Sequence, residues 1–427
     1  MNLVEELSWR GMLQDITPGT QEQLSREMTT GYVGFDPTAD SLHIGSLVPI
    51  LLLLHLQRAG HRPIALVGGA TGMIGDPSGK SEERNLLDEA TLLHNVAGIR
   101  SQLERFLDFS TDKPNAAVMA NNFDWFRDMR FIQFLRDVGK HITVNYMMSK
   151  DSVRKRIEGE TGISYTEFAY QMMQGYDFYW LYQHHHCTLQ MGGSDQWGNI
   201  TTGIELIRRK TGGEAFAFTC PLVTKADGGK FGKTEKGNIW LDPTRTSPYQ
   251  FYQFWLNAAD EDAEKWIRTF TLLPKREIES LISAHRQDPS SRILQKNLAR
   301  EVTLFIHGDQ ELETAVATSE KLFSADPVAA LRGMEEQEIL TAMEGVPTFQ
   351  IDRQRLEQGM DIVSLLALSG SFPSKGEARK TILGGGVSLN REKVTDPSMK
   401  VDHSHLLAGR YLLLSKGKKN HFLLRAE

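Results

Sequence analysis

From Tyr32 to Ser46 the chain sets three pieces end to end: a short apolar strand, Tyr32-Val33-Gly34-Phe35, a polar turn from Asp36 to His43, and a helix start at Ile44-Gly45-Ser46. The mostly apolar run Leu47 to Leu56 then reads as a buried helix. This order commits the surrounding chain to layered α/β packing, because a buried strand and a buried helix must cover each other. Backbone N–H groups near Gly45 and Ser46 would point at any anion lying across the helix start. In an α/β protein such a place holds a nucleotide.

From Gly31 to about Thr246, short apolar runs alternate with helical patterns, which predicts a largely parallel sheet wrapped by helices. The predicted strands are Tyr32 to Phe35, Pro63 to Val67, Thr188 to Met191 and Cys220 to Thr224. Polar or glycine-rich turns follow them, including Gly68-Gly69-Ala70-Thr71-Gly72, Gly192-Gly193-Ser194-Asp195 and Asp227-Gly228-Gly229-Lys230. Ligands of open α/β sheets sit beyond the carboxyl ends of strands, so these turns should converge on one crevice. The periodicity becomes helical from Ser247 to about Phe323, and 324–360 reads as a connector with some short helix. The expected domains are therefore 1–246, 247–323, a connector 324–360, and a small α+β module 361–427.

In that last module Ser374-Lys375-Gly376-Glu377 matches a capping box, and Gly384-Gly385-Gly386 can end the helix. Lys375 and Arg379 share one helix face. A strand at Val387 to Asn390 and a pair at Arg410 to Leu414 and His421 to Leu424 complete the unit. The chain carries a formal net charge of −6, but residues 361–427 hold 11 Lys and Arg against 6 Asp and Glu. A module of +5 on a body of −11 suits an anionic partner.

No apolar run approaches the length needed to cross a bilayer, and Met1 to Glu6 lacks a basic segment followed by an apolar one, so a cytoplasmic enzyme is expected. Cys187 and Cys220 are the only cysteines and are expected reduced and structural. His184-His185-His186-Cys187 lacks the spaced pattern of a metal site. Trp125, Trp197, Trp240 and Trp255 read as packing residues.

A second polar turn, Lys230-Phe231-Gly232-Lys233-Thr234, puts two lysines and a hydroxyl on a loop that suits a polyphosphate or departing pyrophosphate. Together with His43-Ile44-Gly45, with Val67 to Ser78, with Thr166 to Asp177 and with Gly192 to Asn199, it makes the chain closely resemble the bacterial-type tyrosyl-tRNA synthetases. These are class I aminoacyl-tRNA synthetases with a C-terminal S4-type RNA-binding domain. The resemblance spans nearly the whole chain. It implies a Rossmann-like catalytic domain, a helical domain and an S4-like module. The implied reaction activates tyrosine with ATP and then transfers tyrosyl to the 3′ end of tRNA(Tyr).

The resemblance also assigns residues. Tyr32 and Asp177 would hold the tyrosine hydroxyl, Asp76, Tyr170 and Gln174 the ammonium, and Gln196 would reach the carboxyl or the α-phosphate region. Gly34, Asp36, Gly45, Gly193, Asp195 and Lys233 would bind ATP. Thr38, His43, Ser46, Lys230, Lys233 and Thr234 would act on the phosphates, with Lys80 and Arg84 as mobile-loop partners for pyrophosphate. Lys375, Arg379, Lys380, Lys418 and Lys419 would meet RNA. ATP is expected with Mg²⁺ as co-substrate, with no metal or organic cofactor held by the protein, and a homodimer is implied.

Two positions depart from the family: Val33, where the family often has a cysteine near the ribose, and Ser46. Ser46 stands where a second histidine is usual, and serine is shorter and carries no imidazolium charge. Its role as an N-cap is weakened by Pro49, which has no N–H to offer. An active enzyme with a compensated signature is the leading expectation. A weakened paralogue that only binds RNA is the alternative.

Overall fold

The computed structural model describes residues 2–78, 87–159, 162–229, 231–234, 237–322, 327–344, 346–417 and 420–427. The chain forms two compact units, Met1–Asp242 with Ala259–Leu294, and Pro243–Ala258 with Gln295–Glu427. No helix among the described residues is long and apolar enough to cross a membrane.

The first unit is Rossmann-like. Its strands β1 (Thr30–Phe35), β2 (Arg62–Val67), β3 (Val118–Asn121), β4 (Cys187–Gly193) and β5 (Phe216–Cys220) pair in parallel in the order β3-β2-β1-β4-β5. Tyr32 of β1 sits opposite Ile64 of β2 on one side and Gln190 of β4 on the other. The strand order reverses at β1, which opens a crevice at the carboxyl ends of β1 and β4. The helix Leu47–Arg58 buries Leu47, Val48, Ile50 to Leu53 and Leu56, as its apolar sequence requires.

Two strands differ from expectation. The strand predicted at Cys220 to Thr224 lies earlier, at Phe216–Cys220, because Pro221 has no N–H to continue the ladder. Segment 14–17 covers its outer edge, with Thr17 N–H donating to Ala217 O at 2.9 Å and Thr219 N–H to Asp15 O at 2.8 Å. β3 was not predicted: it is four residues long and half-buried throughout, so its apolar signal is weak.

The helix Tyr165–His185 supplies Tyr170, Gln174 and Asp177 to the crevice wall. Ser164 Oγ accepts from Glu167 N at its start, and His186 closes its end in the left-handed conformation at φ 50°. Arg156 donates to both Glu167 oxygens at 2.8 and 2.7 Å, and both side chains are buried. This bidentate pair fastens the helix Asp151–Ile157 to the first turn of the longer one.

The helical stretch 247–323, expected as one domain, is divided. The helices Asp260–Phe270 and Lys275–Gln287 belong to the first unit. There the buried Arg10 guanidinium donates to the carbonyls of Arg268, Thr271 and Leu273 at 2.7 to 2.8 Å. A short hairpin of β6 (Lys233–Thr234) and β7 (Gly237–Asn238) completes this unit.

The second unit contains the helices Pro248–Leu256, Asp309–Leu322 and Glu336–Ala342 and two small sheets. Strands β8 (Thr348–Ile351), β10 (Val387–Leu389), β11 (Glu392–Lys393), β13 (Tyr411–Lys416) and β14 (Asn420–Ala426) pair in the order β11-β10-β13-β14-β8, while β9 (Met360–Asp361) pairs with β12 (Lys400–Val401). β8 lies in the stretch expected as a connector. It pairs in parallel with β14, and Ile351 and Leu356 share a core with Ile382, Leu389, Leu412 and Leu424. The terminal module therefore begins before residue 361.

Arg156→Met should lower the urea midpoint of the first unit by the equivalent of about 3 kcal/mol, because it strands a buried Glu167 charge. Adding Glu167→Leu should restore most of the loss. Equal loss in the single and double variants would contradict this account of the pair.

Candidate active site

All five strands of the first sheet end at one cavity of about 660 Å³. β1 leads to Asp36, β2 to Gly68 and Thr71, β3 to Asn122, β4 to Asp195 and Gln196, and β5 to Pro221. The convergence expected from the turns is what the sheet produces.

At one end Tyr32 and Asp177 are buried, at 1% and 2% exposure. The Tyr32 ring packs on Phe178, and its hydroxyl is buried without a hydrogen-bond partner. Asp177 Oδ1 accepts from Trp125 Nε1 at 2.9 Å, and Oδ2 accepts from Asn122 Nδ2 at 3.1 Å. Burial nevertheless pushes the Asp177 carboxyl up to about 8, since removal from water disfavours its charged form more than those two donors favour it. Burial and the neighbouring Asp177 raise the Tyr32 hydroxyl well above its ordinary value. An unpaired buried hydroxyl costs about 1 to 3 kcal/mol, which a ligand hydroxyl lying between Tyr32 and Asp177 would offset.

Acceptors line the adjoining wall. Asp76 Oδ2 accepts from Gln196 Nε2 at 2.6 Å and Oδ1 from Ser78 N at 2.9 Å. Asn199 Nδ2 donates to Gln174 Oε1 at 3.0 Å. Tyr170 donates its hydroxyl to Asp36 Oδ2 at 2.8 Å, and Thr71 Oγ1 donates to Asp36 Oδ1 at the same distance. Asp36, expected with the nucleotide, is thus tied to the Tyr170 side of the cavity. Gly68 permits this: a Cβ there would stand 2.2 Å from Asp36 Oδ1 and 2.3 Å from Thr71 Oγ1. Two carboxylates, an amide oxygen and a phenol oxygen on one wall are all able to accept from a cationic donor.

The third end is the strand-turn-helix segment. His43 Nδ1 accepts from Gly45 N at 3.0 Å, which leaves Nε2 to carry the proton of the neutral ring and present a donor. Gly45 makes room for that ring, since a Cβ would stand 2.6 Å from His43 Cε1. Ser46 precedes the helix Leu47–Arg58 but makes no side-chain cap. Ile44 N donates to Ile239 O at 3.0 Å and Leu241 N to Leu42 O at 2.9 Å, so the chain that follows the β6–β7 hairpin runs beside His43. The two sequence motifs are therefore neighbours through their backbones. Gly34, Gly45, Gly193 and Asp195 line the cavity, whereas Thr38 lies exposed on the loop after β1. Lys230, Lys80 and Arg84 lie outside the described residues, as do Lys418 and Lys419.

In the second unit Lys375, Arg379 and Lys380 are all exposed on the helix Lys375–Leu383. The capping box is half formed. Ser374 Oγ accepts from Glu377 N at 3.2 Å, but the Glu377 carboxylate turns to Lys416 Nζ at 2.8 Å.

Asn122, Thr71 and Asn199 join the site without an individual sequence signal, and Trp125, expected as a packing residue, has a second role. Trp125 is a hydrogen-bond donor to the central carboxyl. Recognising β3 would have exposed Asn122 as the residue just past a strand's carboxyl end. Both cysteines are buried, and burial pushes the Cys220 thiol up to about 12.

The sheet order and the cavity at its switch point are those of a Rossmann-like ligand-binding domain, and the family matches identify the class as the class I aminoacyl-tRNA synthetases. The family described as "tRNA synthetases class I (W and Y)" matches residues 24–324, and the "Tyrosine--tRNA ligase SYY-like C-terminal domain" matches 338–424. The tyrosine–tRNA ligase of Porphyromonas gingivalis is 60% identical over the full length of both chains, and that of Bacteroides thetaiotaomicron 59%. A C-terminally truncated mitochondrial tyrosyl-tRNA synthetase of Aspergillus nidulans superposes with a TM-score of 0.67 at 30% identity, covering 75% of this chain and 94% of that one. The chain belongs to the tyrosine–tRNA ligases.

The buried ionisable groups oppose one another in pH. Asp177 keeps its proton in the folded state while the unfolded chain loses it near pH 4, so its contribution to stability is full below pH 4 and lost as pH rises through about 8. His55, lowered to about 3 by burial, contributes stability that is full above about pH 6.5 and lost as pH falls toward 3. Relative to the parent protein, Asp177→Asn should therefore gain more than about 1 kcal/mol between pH 5 and 8 in denaturant titrations. A pH-independent difference would contradict the assignment.

Proposed function

We propose that the cavity binds tyrosine with its hydroxyl between Tyr32 and Asp177 and its ammonium among Asp76, Tyr170, Gln174 and Asp36. The carrying observation is the buried Tyr32 hydroxyl without a partner beside a buried carboxyl. Phenylalanine would leave both groups unanswered, and tyrosyl-tRNA synthetases are themselves the established example of rejection by that means. ATP, entering with Mg²⁺ as co-substrate, would lie over Gly34, Gly45 and Gly193, with Asp195 accepting from ribose hydroxyls.

The tyrosine carboxylate attacks the α-phosphorus in line, forming the acyl–phosphate bond as the bond to the pyrophosphate oxygen breaks. No protein nucleophile is needed. The chain's work is to position the reactants and stabilise developing charge. His43 supports this through its Nε2 donor, and Ser46, Lys230, Lys233 and Thr234 are assigned to the same phosphates, with Thr38, Lys80 and Arg84 beside them. Gln196, bonded to Asp76, orients the reacting carboxyl. Tyrosyl then passes to the 3′ end of tRNA(Tyr), with Lys375, Arg379, Lys380, Lys418 and Lys419 contacting RNA phosphates.

A cytoplasmic homodimer fits this reading. The helix Phe131–Asp137 buries none of its residues and exposes Phe131 and Ile132, and the helix Val144–Met148 exposes Val144 and Met148. Ile132→Glu should halve the mass seen in sedimentation.

Tyrosine-dependent ATP–pyrophosphate exchange tests the whole proposal, and no exchange by folded protein would favour the RNA-binding paralogue. Replacing Lys375, Arg379 and Lys380 together by Ala should lower tRNA charging roughly tenfold or more at moderate salt while leaving exchange unchanged. Ser46→His should raise the pre-steady-state rate of adenylate formation and Ser46→Ala should lower it; three equal rates would remove Ser46 from the mechanism.

A further inference from the structure

Asp177, Trp180 and His184 lie along one stripe of the helix Tyr165–His185, three and then four residues apart. Trp180 stacks on Trp125, with ring centroids 4.1 Å apart and planes at 15°. On the outer side His184 stacks on Trp180 at 4.2 Å and 16°, and its Nδ1 lies 2.9 Å from the Trp180 carbonyl. A column of three rings thus runs inward from the exposed His184, and its inner plate is the indole that donates to Asp177. The histidine run, which lacks the spacing of a metal site, supplies the outer plate and, through His186, the helix end.

The inner indole needs that support. Trp125 sits on a helix of only four residues, Phe123–Phe126, whose N-cap residue Asn122 turns its side chain to Asp177 and Thr71 rather than to the helix's own N–H groups, leaving Asn121 Oδ1 to accept from Phe123 N at 3.0 Å. A donor bond to a carboxyl fixes where the N–H points but leaves the ring free to swing about it. A near-parallel ring stacked on the indole, with centroids 4.1 Å apart, opposes that swing.

We propose that Trp180 is a positioning residue for tyrosine selection: its stack holds the Trp125 indole so that Nε1–H stays on Asp177, and Asp177 stays aimed at the substrate hydroxyl. The proposal rests on the tyrosine-binding reading of the cavity. It concerns recognition of the hydroxyl rather than the phosphoryl chemistry, so its effect falls on tyrosine KM and on discrimination and leaves kcat alone.

Full-length Trp180→Leu and Trp180→Phe are compared with the parent in pyrophosphate exchange with tyrosine and with phenylalanine. The Trp125 indole resonance is followed by ¹⁵N NMR without substrate and identified by its absence in Trp125→Phe. Trp180→Leu should raise the tyrosine KM roughly tenfold, lower the preference over phenylalanine by a similar factor, and leave kcat within about twofold. It should also shift the Trp125 resonance, and Trp180→Phe, which restores a stacked ring, should return each quantity most of the way. Unchanged KM and preference in Trp180→Leu would overturn the proposal, as would a Trp180→Phe variant as impaired as Trp180→Leu. If the parent shows no exchange, the activity reading fails by itself, and the resonance still decides the stack: an unmoved Trp125 signal in Trp180→Leu overturns it.

Discussion

A carboxyl buried at 2% exposure is expensive to keep, and the arrangement around Asp177 is the set of groups that makes it tolerable. Two donors reach it, Asn122 from the end of β3 and Trp125 from the short helix beyond, so the edge of the sheet and the long helix must stay in register for both bonds to survive. Asn122 also donates to Thr71, and Thr71 to Asp36, which accepts from Tyr170. One hydrogen-bond chain therefore passes from Asp177 at one end of the cavity to Asp36, the residue that follows β1. The sheet order makes this possible, because β1, β2 and β3 lie side by side and present Asp36, Thr71 and Asn122 at neighbouring carboxyl ends.

Such a chain does two things. It satisfies polar groups that would otherwise be stranded in a poorly solvated place, and it makes the wall rigid before substrate arrives. Rigidity is what selection by a hydroxyl requires, since a wall able to collapse around phenylalanine would lose its penalty for the missing oxygen. Beside the network the Tyr32 hydroxyl and Gln190 Oε1 are buried without a partner, and the hydroxyl is the group to which the proposed ligand would answer.

Local signals made much of this legible in the sequence. β1, the turn and the helix Leu47–Arg58 are contiguous, so their order was readable from apolar runs, as were the turns after β2 and β4. The roles proposed for Tyr32, Asp76, Tyr170, Gln174 and Asp177 rest on family resemblance, since no spacing rule marks an aspartate on a helix face as a partner for a ligand hydroxyl. What stayed hidden depends on contacts distant in sequence. Trp125 looked like packing because its partner carboxyl is 52 residues away, and Asn122 escaped notice because the strand before it is short and half-buried. Glu377 looked like half of a capping box because Lys416, which claims its carboxylate, lies 39 residues further on. The division of the helical stretch was equally invisible, resting on Arg10 and on carbonyls 258 to 263 residues downstream.

Where the phenol oxygen of bound tyrosine lies is read directly from a crystal structure of the full chain with that ligand. The account expects the phenol oxygen within hydrogen-bond reach, roughly 2.6 to 3.2 Å, of both the Tyr32 hydroxyl and an Asp177 carboxyl oxygen, with Trp125 and Asn122 still on Asp177. A tyrosine ring turned so that its hydroxyl meets solvent or the Asp76 wall, with Tyr32 still unpaired, would contradict it.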